Sequence, residues 1–465
     1  MPPPALVPAL AAERSDAEAA WRSGLLAVSP EPCVRRALAS RPDLDPSSSR
    51  TLVLAVGKAA AGMMLGALPV ARGFVLLPAE AAVPAFPPSV EVLFGGHPHP
   101  TAEGVRSTRR ILEAVSALGP GDRLLVLLSG GASALLEAPA EGVDFEDLAS
   151  VHRALVASGA PIAAINLVRS CLSAVKAGRL ATAAGGAAVT TLAISDVEGD
   201  DPAVIGSGPT VASTVDPGAA GRVLREFGVD LPERVAAIFV RPETRGGGSV
   251  DAGAGTAWQF AAGSGNAESL AAGAGALVHT GSPGPFAALP LALDYTVIAA
   301  IGDAVEAARL ELERRGYRAE ADPEYLRGDT ASAAARLATS PVLALAGSAG
   351  RRAWVSGGET TVALGPVRGR GGRNLDLAAR LALALAGRDD VVVVSAGTDG
   401  RDGSSLAAGA IVDGGSAARA AASGHPLDTA LDAFDTEPAL ESAGDLLVTG
   451  PTGTNVGDII LILLR

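Results

Sequence analysis

Thr51-Leu52-Val53-Leu54-Ala55-Val56 is a short apolar run that ends on Gly57-Lys58 and gives way to an Ala-rich stretch, Ala59 to Leu68. A Val/Leu run closed by glycine, then a row of strong helix formers, reads as strand, turn, helix. The same grammar recurs. Leu124 to Leu128 stops at Ser129-Gly130-Gly131, and Ala132 to Leu136 opens the next helix. Val189 to Ile194 stops at Ser195-Asp196. Phe74 to Leu77 and Val90 to Phe94 supply further strands. Thr101 caps a helix running to about Leu118, with Glu103 in its favourable first turn. Asp144 to Val156 and Ile165 to Ala183 are expected as helices. Strands alternating with helices predict an α/β fold, a Rossmann-like doubly wound parallel sheet covered on both faces.

The pattern restarts late in the chain. Tyr295 to Ile301 reads as a strand and Asp303 to Arg315 as a helix. Ala353-Trp354-Val355 leads into Ser356-Gly357-Gly358-Glu359-Thr360-Thr361. Leu375 to Ala386 is an Ala/Leu helix. Val391 to Val394 ends in Ser395-Ala396-Gly397-Thr398-Asp399-Gly400, and Asp445 to Thr449 and Ile459 to Leu464 close the sheet. From Gly246 to Gly284 the chain is dense in Gly, Ala and Ser, the composition of a linker or inserted loop. The expected division is an N-terminal domain over 1–240, a glycine-rich linker or insertion over 241–294, and a C-terminal α/β domain over 295–465.

Bulk properties agree with two domains, since 465 residues exceed one ordinary core. Hydrophobic residues at 48% against charged residues at 19% exclude wholesale disorder. A net charge of −13 with no basic stripe excludes a nucleic-acid surface. Cys33 and Cys171 form no CxxC or Cys/His spacing, so neither zinc nor a disulfide framework is expected. Ser269 to Leu293 carries no charge but is broken by Gly273, Gly281, Pro283 and Pro290, which disfavours a membrane span. Met1 to Trp21 holds Glu13, Arg14, Asp16 and Glu18 and lacks a signal peptide's apolar centre. The expected setting is the cytoplasm, with a small-molecule substrate, no nucleic acid and no membrane; a homodimer is left open.

The chemistry should sit where strands end. In doubly wound folds the carboxyl ends of the strands line the binding crevice. There glycine lets backbone N–H groups approach a phosphate, and a following helix adds its dipole. Ser129-Gly130-Gly131-Ala132-Ser133 is one such loop and Gly369-Arg370-Gly371-Gly372-Arg373-Asn374 another. Ser129, Gly130, Gly131, Ser133, Gly371, Gly372 and Asn374 are therefore candidates for nucleotide contact. Lys58 stands just past a buried strand, where a cation can neutralise a phosphate or a carboxylate. Arg373 is placed to clamp a transferring phosphoryl group. Asp196 and Asp399 end strands, where carboxylates hold Mg2+ or accept a hydroxyl proton; turn capping is the bland alternative for Asp beside Gly. His97 and His99, in Gly95-Gly96-His97-Pro98-His99-Pro100, have no third metal ligand in view. Neither GxxxxGK[ST] nor a GxGxxG after a strand is present, which disfavours a P-loop kinase and a common NAD dehydrogenase.

These segments resemble the class II glycerate 2-kinases, whose C-terminal part is called the MOFRL domain. The resemblance runs through Val56-Gly57-Lys58-Ala59-Ala60, Gly95-Gly96-His97-Pro98, Leu128-Ser129-Gly130-Gly131-Ala132-Ser133, Asn166-Leu167-Val168-Arg169 and Leu172 to Leu180. It continues in Ile194-Ser195-Asp196-Val197-Glu198-Gly199-Asp200-Asp201, Ser207-Gly208-Pro209-Thr210, Ser356-Gly357-Gly358-Glu359-Thr360, Gly371-Gly372-Arg373-Asn374, Gly397-Thr398-Asp399-Gly400 and Thr449 to Val456. It implies a Rossmann-like domain, a smaller α/β domain with a mixed sheet, and an active cleft between them. It implies phosphorylation of the 2-hydroxyl of D-glycerate with ATP and Mg2+, with Lys58, Arg373 and Asp196 in the cleft, Asp196 on the metal and the Gly/Ser loops on phosphates. The chain departs from the family at Leu375 and Asp376, where Gln and Glu are usual, at Leu406, often Asp, and near Ile301-Gly302, where Ser-Asn is usual. A kinase for another small hydroxy acid, a hydroxypyruvate-reductase-like protein and a non-catalytic paralogue are the alternatives.

Overall fold

β1 (Thr51–Val56) is buried at every position, which requires neighbours on both edges and cover on both faces. A computed structural model describes residues 10–213, 215–239, 294–340, 343, 350–362 and 369–465, and shows both. β1 pairs in parallel with β2 (Gly73–Pro78) on one side and β4 (Arg123–Ser129) on the other. With β3 (Val90–Gly95), β5 (Ala188–Ile194) and β6 (Asp294–Ala299) they form a six-stranded sheet in the order β3-β2-β1-β4-β5-β6, every pair parallel. This is the doubly wound order with its switch point between β1 and β4, the place where such sheets bind ligands.

A second, mixed sheet contains β7 (Arg318–Ala321), β9 (Arg352–Thr361), β10 (Val391–Gly397), β11 (Gly409–Asp413), β12 (Leu446–Leu447) and β13 (Asp458–Leu464), in the order β12-β11-β10-β13-β9-β7, with β8 (Leu326–Asp329) also paired to β9. The pairs β12–β11, β11–β10, β10–β13 and β13–β9 are antiparallel, whereas β7 and β8 run parallel to β9. The two-domain α/β architecture is the expected one.

Side-chain alternation divides the cores. In β1 and β4, Val53, Ala55, Leu125 and Leu127 face one cluster, while Leu52, Leu54, Leu124 and Val126 face another. In β10 and β13, Val392, Val394, Ile459 and Leu461 join the first cluster, and Val391, Val393, Ile460 and Ile462 pack on helices beyond. One apolar cluster thus spans from the first sheet to the second. It passes through the helices Ala11–Ala27, Pro30–Ser40, Ala60–Ala67 and Ile301–Arg314. A satellite cluster sits under the helices Phe145–Ala157, Ile162–Leu172 and Pro217–Glu226.

Several expectations need correcting. Ile165 to Ala183 is not one helix: Ile162–Leu172 and Arg179–Ala183 are separate, because Ala177 (φ 55°) and Gly178 (φ 84°) turn left-handed between them. Ser356 to Thr361 continues the strand that Ala353-Trp354-Val355 begins, as the rest of β9. β6 completes the first sheet, so the sheets separate after it and not at 295. The helix Ala11–Ala27, near the expected N-terminal domain's start, packs on β10 and β13 of the second sheet. The glycine-rich stretch expected as a linker lies, up to residue 293, outside the described residues. Cys33 and Cys171 are free and buried. Among the described residues no helix is long and apolar enough to cross a membrane.

Trp21 is fully excluded from water, and its indole N–H donates to the Ala396 carbonyl at 3.3 Å. Trp21→Ala should cost about 3–5 kcal/mol, read from urea unfolding at unchanged slope. A loss below about 1 kcal/mol would mean that this helix is not part of the shared core.

Candidate active site

Two turns at the switch point are stitched together. The Lys58 amide donates to the Gly130 carbonyl at 2.8 Å, and the Ala59 amide donates to the Ser129 hydroxyl at 3.1 Å. Gly57 adopts φ +122°, and any β-carbon there would collide with Ser129, so glycine is required. Ser129 is buried and faces this seam, with its hydroxyl also near the Val56 carbonyl. The hydroxyl of Ser129, a candidate for nucleotide contact, is engaged in this seam and holds the turn that carries Lys58 at the mouth of β1.

Lys58 then reaches across to the second sheet. Its Nζ lies 3.4 Å from Asp399 Oδ2, both side chains about one-third exposed. Asp399 follows β10 and is fixed by the Arg401 amide at 3.1 Å. Asp196, past β5, lies over Gly130, whose missing β-carbon makes the room. Asn455 Nδ2 donates to Asp196 Oδ2 at 3.1 Å, again from the second sheet's side. Burial pushes the Asp196 carboxyl up; Lys58 opposes this and Asp399 adds to it.

Arg373 is the first residue of the helix Arg373–Ala384. Its guanidinium grips Asp458 with two bonds, 2.7 and 3.0 Å, and contacts Glu359 Oε1 at 2.8 Å. Desolvation inside the cleft raises the Glu359 carboxyl, on which Arg373, Asp458, Asp196 and Lys58 all act. Since 46% of its side chain is open to solvent, water tempers that effect. A β-carbon on Gly397 would meet Asp458 Oδ1 at 3.2 Å and Asp399 Oδ1 at 3.4 Å; the partners of Arg373 and Lys58 thus adjoin one another, which puts the two cations on one cleft. They face Asp196, Asp399, Glu359 and Asp458, four carboxylates against two cations.

Other candidates are placed differently. Asn374 is buried, accepting from Ser395 Oγ at 2.8 Å and donating towards Asp402. It stands within the support of the Arg373 helix. Gly371 and Gly372 close against Ser404 and Asp402. Ser133 Oγ pairs with Ser207 Oγ at 2.6 Å. Gly131, at φ +84°, is covered by the His97 ring. Burial, then Lys58, pushes the imidazole of His97 down to about 4; it is a neutral wall of the loop. His99 stacks edge-on to His152 at 5.5 Å. No group of three or more His, Cys, Asp or Glu able to hold a metal ion is found among the described residues. A hollow lined by Arg123, Thr190 and Asp294 lies at the opposite ends of the strands from Lys58.

Asn455, Asp458 and Glu359 were not singled out from the sequence, although each stands in a segment carrying the family resemblance or beside one. Nothing in residue type alone separates a carboxylate that positions an arginine from one that caps a turn. The departures are accommodated: Leu375 belongs to the core beneath the helix, Ile301 packs on Gly357, and Leu406 is 65% exposed.

Comparison with known proteins follows the same lines. Residues 16–240 match a family described as a domain of unknown function, DUF4147, and residues 352–458 match the MOFRL family. A D-glycerate 2-kinase of Thermotoga maritima is 33% identical over 89% of this chain and 91% of its own length. An Agrobacterium vitis protein carrying a provisional hydroxypyruvate reductase name is 38% identical over 89% and 87%. The chain belongs to the class II glycerate kinase family. A crystal structure of glycerate kinase from Thermotoga maritima superposes with a TM-score of 0.80 at 31% identity, covering 98% of this chain and 100% of that one. Family membership therefore covers both sheets and the cleft between them.

Asp402 supports the family's Arg-Asn pair from beneath. It accepts from the Asn374 and Leu375 amides at 3.1 and 2.7 Å, capping the helix that begins with Arg373. Burial nonetheless pushes its carboxyl up to about 7, against those two bonds. Between its ordinary value of 3.8 and 7 the folded state holds the proton more tightly than the unfolded state. Its contribution to stability is then full at low pH and lost as pH rises through about 7. Asp402→Asn should flatten the fall in Tm between pH 4 and 7 relative to wild type, measured by calorimetry. Parallel curves for the two proteins would show that Asp402 does not titrate in this window.

Proposed function

We propose that the chain is a cytoplasmic ATP- and Mg2+-dependent kinase that phosphorylates the 2-hydroxyl of D-glycerate, giving 2-phosphoglycerate. The observation that carries this is the cleft in which Lys58, from the switch point of the doubly wound sheet, meets Asp399 of the mixed sheet. Support comes also from relatives named glycerate kinase, among them the human protein at 34% identity over 79% of this chain. The free, buried cysteines fit a reducing compartment.

In this reading the nucleotide phosphates rest over Gly130-Gly131 and Gly371-Gly372, with Ser133 at the edge and Ser129 and Asn374 acting from behind. Lys58 Nζ and the Arg373 guanidinium offset charge on the phosphoryl group in flight. Asp196, held by Asn455 and lifted by burial, takes the proton of the glycerate hydroxyl. The excess of carboxylates repels a polyphosphate unless a cation intervenes, and Asp196 and Asp399 are the donors that fit Mg2+. Such an ion is usually held by one or two carboxylates plus substrate phosphates, and it would neutralise charge on those phosphates.

The assay is ADP release with D-glycerate. Lys58→Ala and Arg373→Ala should each lose at least about 100-fold in kcat/KM; unchanged rates in both would remove them from the site. Gly130→Ala should also lose most activity, because its methyl group displaces the Asp196 carboxylate, while its Tm stays within a few degrees. The relatives with a reductase name make NADH oxidation with hydroxypyruvate the matching control. NADH consumption without ADP release would replace the kinase with a reductase.

A further inference from the structure

Behind the Ser129–Ser133 turn lies a second charged cluster that the chemistry above does not use. The side chains of Glu137 and Lys176 are each 1% exposed and that of Arg169 is 7% exposed. Lys176 Nζ stands 3.1 Å from Glu137 Oε2, and the Arg169 guanidinium stands 3.7 Å from the same oxygen. Both cations also converge on one backbone atom. Lys176 Nζ donates to the Ser133 carbonyl at 2.7 Å, and Arg169 donates to the same carbonyl.

The charge does not balance. Two cations share one carboxylate where water is excluded, and a buried charge without a partner is costly. The Arg169 Nε and the second Glu137 oxygen, Oε1, lack a hydrogen-bond partner, while Oε2 carries the ion pair with Lys176. The nearest further charges do not help. Arg179 is another cation acting on Glu137, and His152 is held neutral by burial and by Arg169, His99, Lys176 and Arg153. A purely structural ion pair needs one cation. The second favours an anion that none of the described residues supplies.

In front of that carbonyl, Ser133 Oγ and Ser207 Oγ are 2.6 Å apart, and Asn166 Oδ1 accepts from Ser207 at 3.3 Å. Ser207 is held at φ 63°, a left-handed conformation rare outside glycine, and its carbonyl accepts from the Ala177 amide, next to Lys176. The hydroxyl pair and the cations are therefore parts of one built unit.

We propose that Glu137, Lys176 and Arg169 are positioning residues for an oxyanion subsite on the Ser133–Ser207 side of the glycine loop. The cations pin the Ser133 carbonyl from behind, which presents the two hydroxyls forward, and their surplus positive charge attracts a small oxyanion in front. This rests on the glycerate kinase assignment, under which each substrate brings such a group: the carboxylate of D-glycerate or the phosphates of ATP.

The test uses the full chain with Lys176→Met and Glu137→Gln. Both loosen the same anchor, but they remove opposite charges. Lys176→Met should raise the KM for one substrate about tenfold and leave the other within about twofold. Glu137→Gln should not raise that same KM, even where its Tm falls as far. A response in the D-glycerate constant identifies a carboxylate, and one in the ATP constant a phosphate. Parallel changes in both constants for both variants, or no change in either, would overturn the subsite. Arg169→Gln tests the same charge if Lys176→Met does not fold. Calorimetry with ATP, D-glycerate and inorganic phosphate reads the same contrast without turnover. If wild type fails to phosphorylate D-glycerate, the kinase assignment falls on that result alone. The subsite then stands or falls on whether Lys176→Met, and not Glu137→Gln, weakens binding of one of these probes.

Discussion

The helices Ala11–Ala27 and Ile301–Arg314 pack on each other and on the second sheet, with Trp21, Ala304 and Leu312 excluded from water in the cluster that both sheets share. Because Val53 and Leu125 of the first sheet and Val394 and Leu461 of the second belong to the same apolar cluster, the sheets cannot be separated without opening it. At about 1.5–3 kcal/mol for each fully buried large side chain, this cluster far outweighs the partly exposed Lys58–Asp399 pair, for which about 0–1 kcal/mol is ordinary. The ion pair therefore reports where the sheets stand; it does not hold them. Arg14 reinforces the same seam through Asp413 and Asp445, at 2.7 and 2.9 Å, and Thr454 donates to the Val28 carbonyl at 2.9 Å.

With the sheets fixed, the polar ends of their strands face one another, and the cleft's electrostatics follow. Lys58 and Asp196 come from β1 and β5, Asp399 and Asp458 from β10 and β13, and Arg373 from a helix capped by Asp402. The four carboxylates outnumber the two cations that pair with them. In the proposed reaction such a site would accept a polyphosphate only together with a counter-charge. Its base in that reaction is Asp196, whose burial disfavours the ionised form and so suits it to take up a proton.

Much of this was legible in the sequence because the signals were local. Thr51–Val56 and Val391–Val394 are apolar runs that end in glycine, and both proved to be central strands whose ends carry Lys58 and Asp399. What was not legible depended on partners far away in the chain. The Ala-rich helix Ala11–Ala27 has no strong polar face, and only its packing on β10 and β13 assigns it to the second sheet. β6 follows a long glycine-rich stretch, and composition could not say that its edge belongs to β5. Ser129 and Asn374 are residue types that bind phosphates and also types that brace a turn; in the structure both are buried and bonded to neighbouring elements, which residue type alone does not show. The Glu137–Lys176–Arg169 cluster joins residues from two segments, and no spacing announces it.

The most direct measurement is a crystal structure of the full chain with a non-hydrolysable ATP analogue, Mg2+ and D-glycerate. The account predicts the triphosphate tail lying between Lys58 and Arg373, with the glycerate 2-hydroxyl within hydrogen-bond reach of Asp196. A tail bound to one sheet alone, with Lys58 or Arg373 more than about 8 Å from every phosphate, beyond direct charge stabilisation at physiological salt, would contradict it.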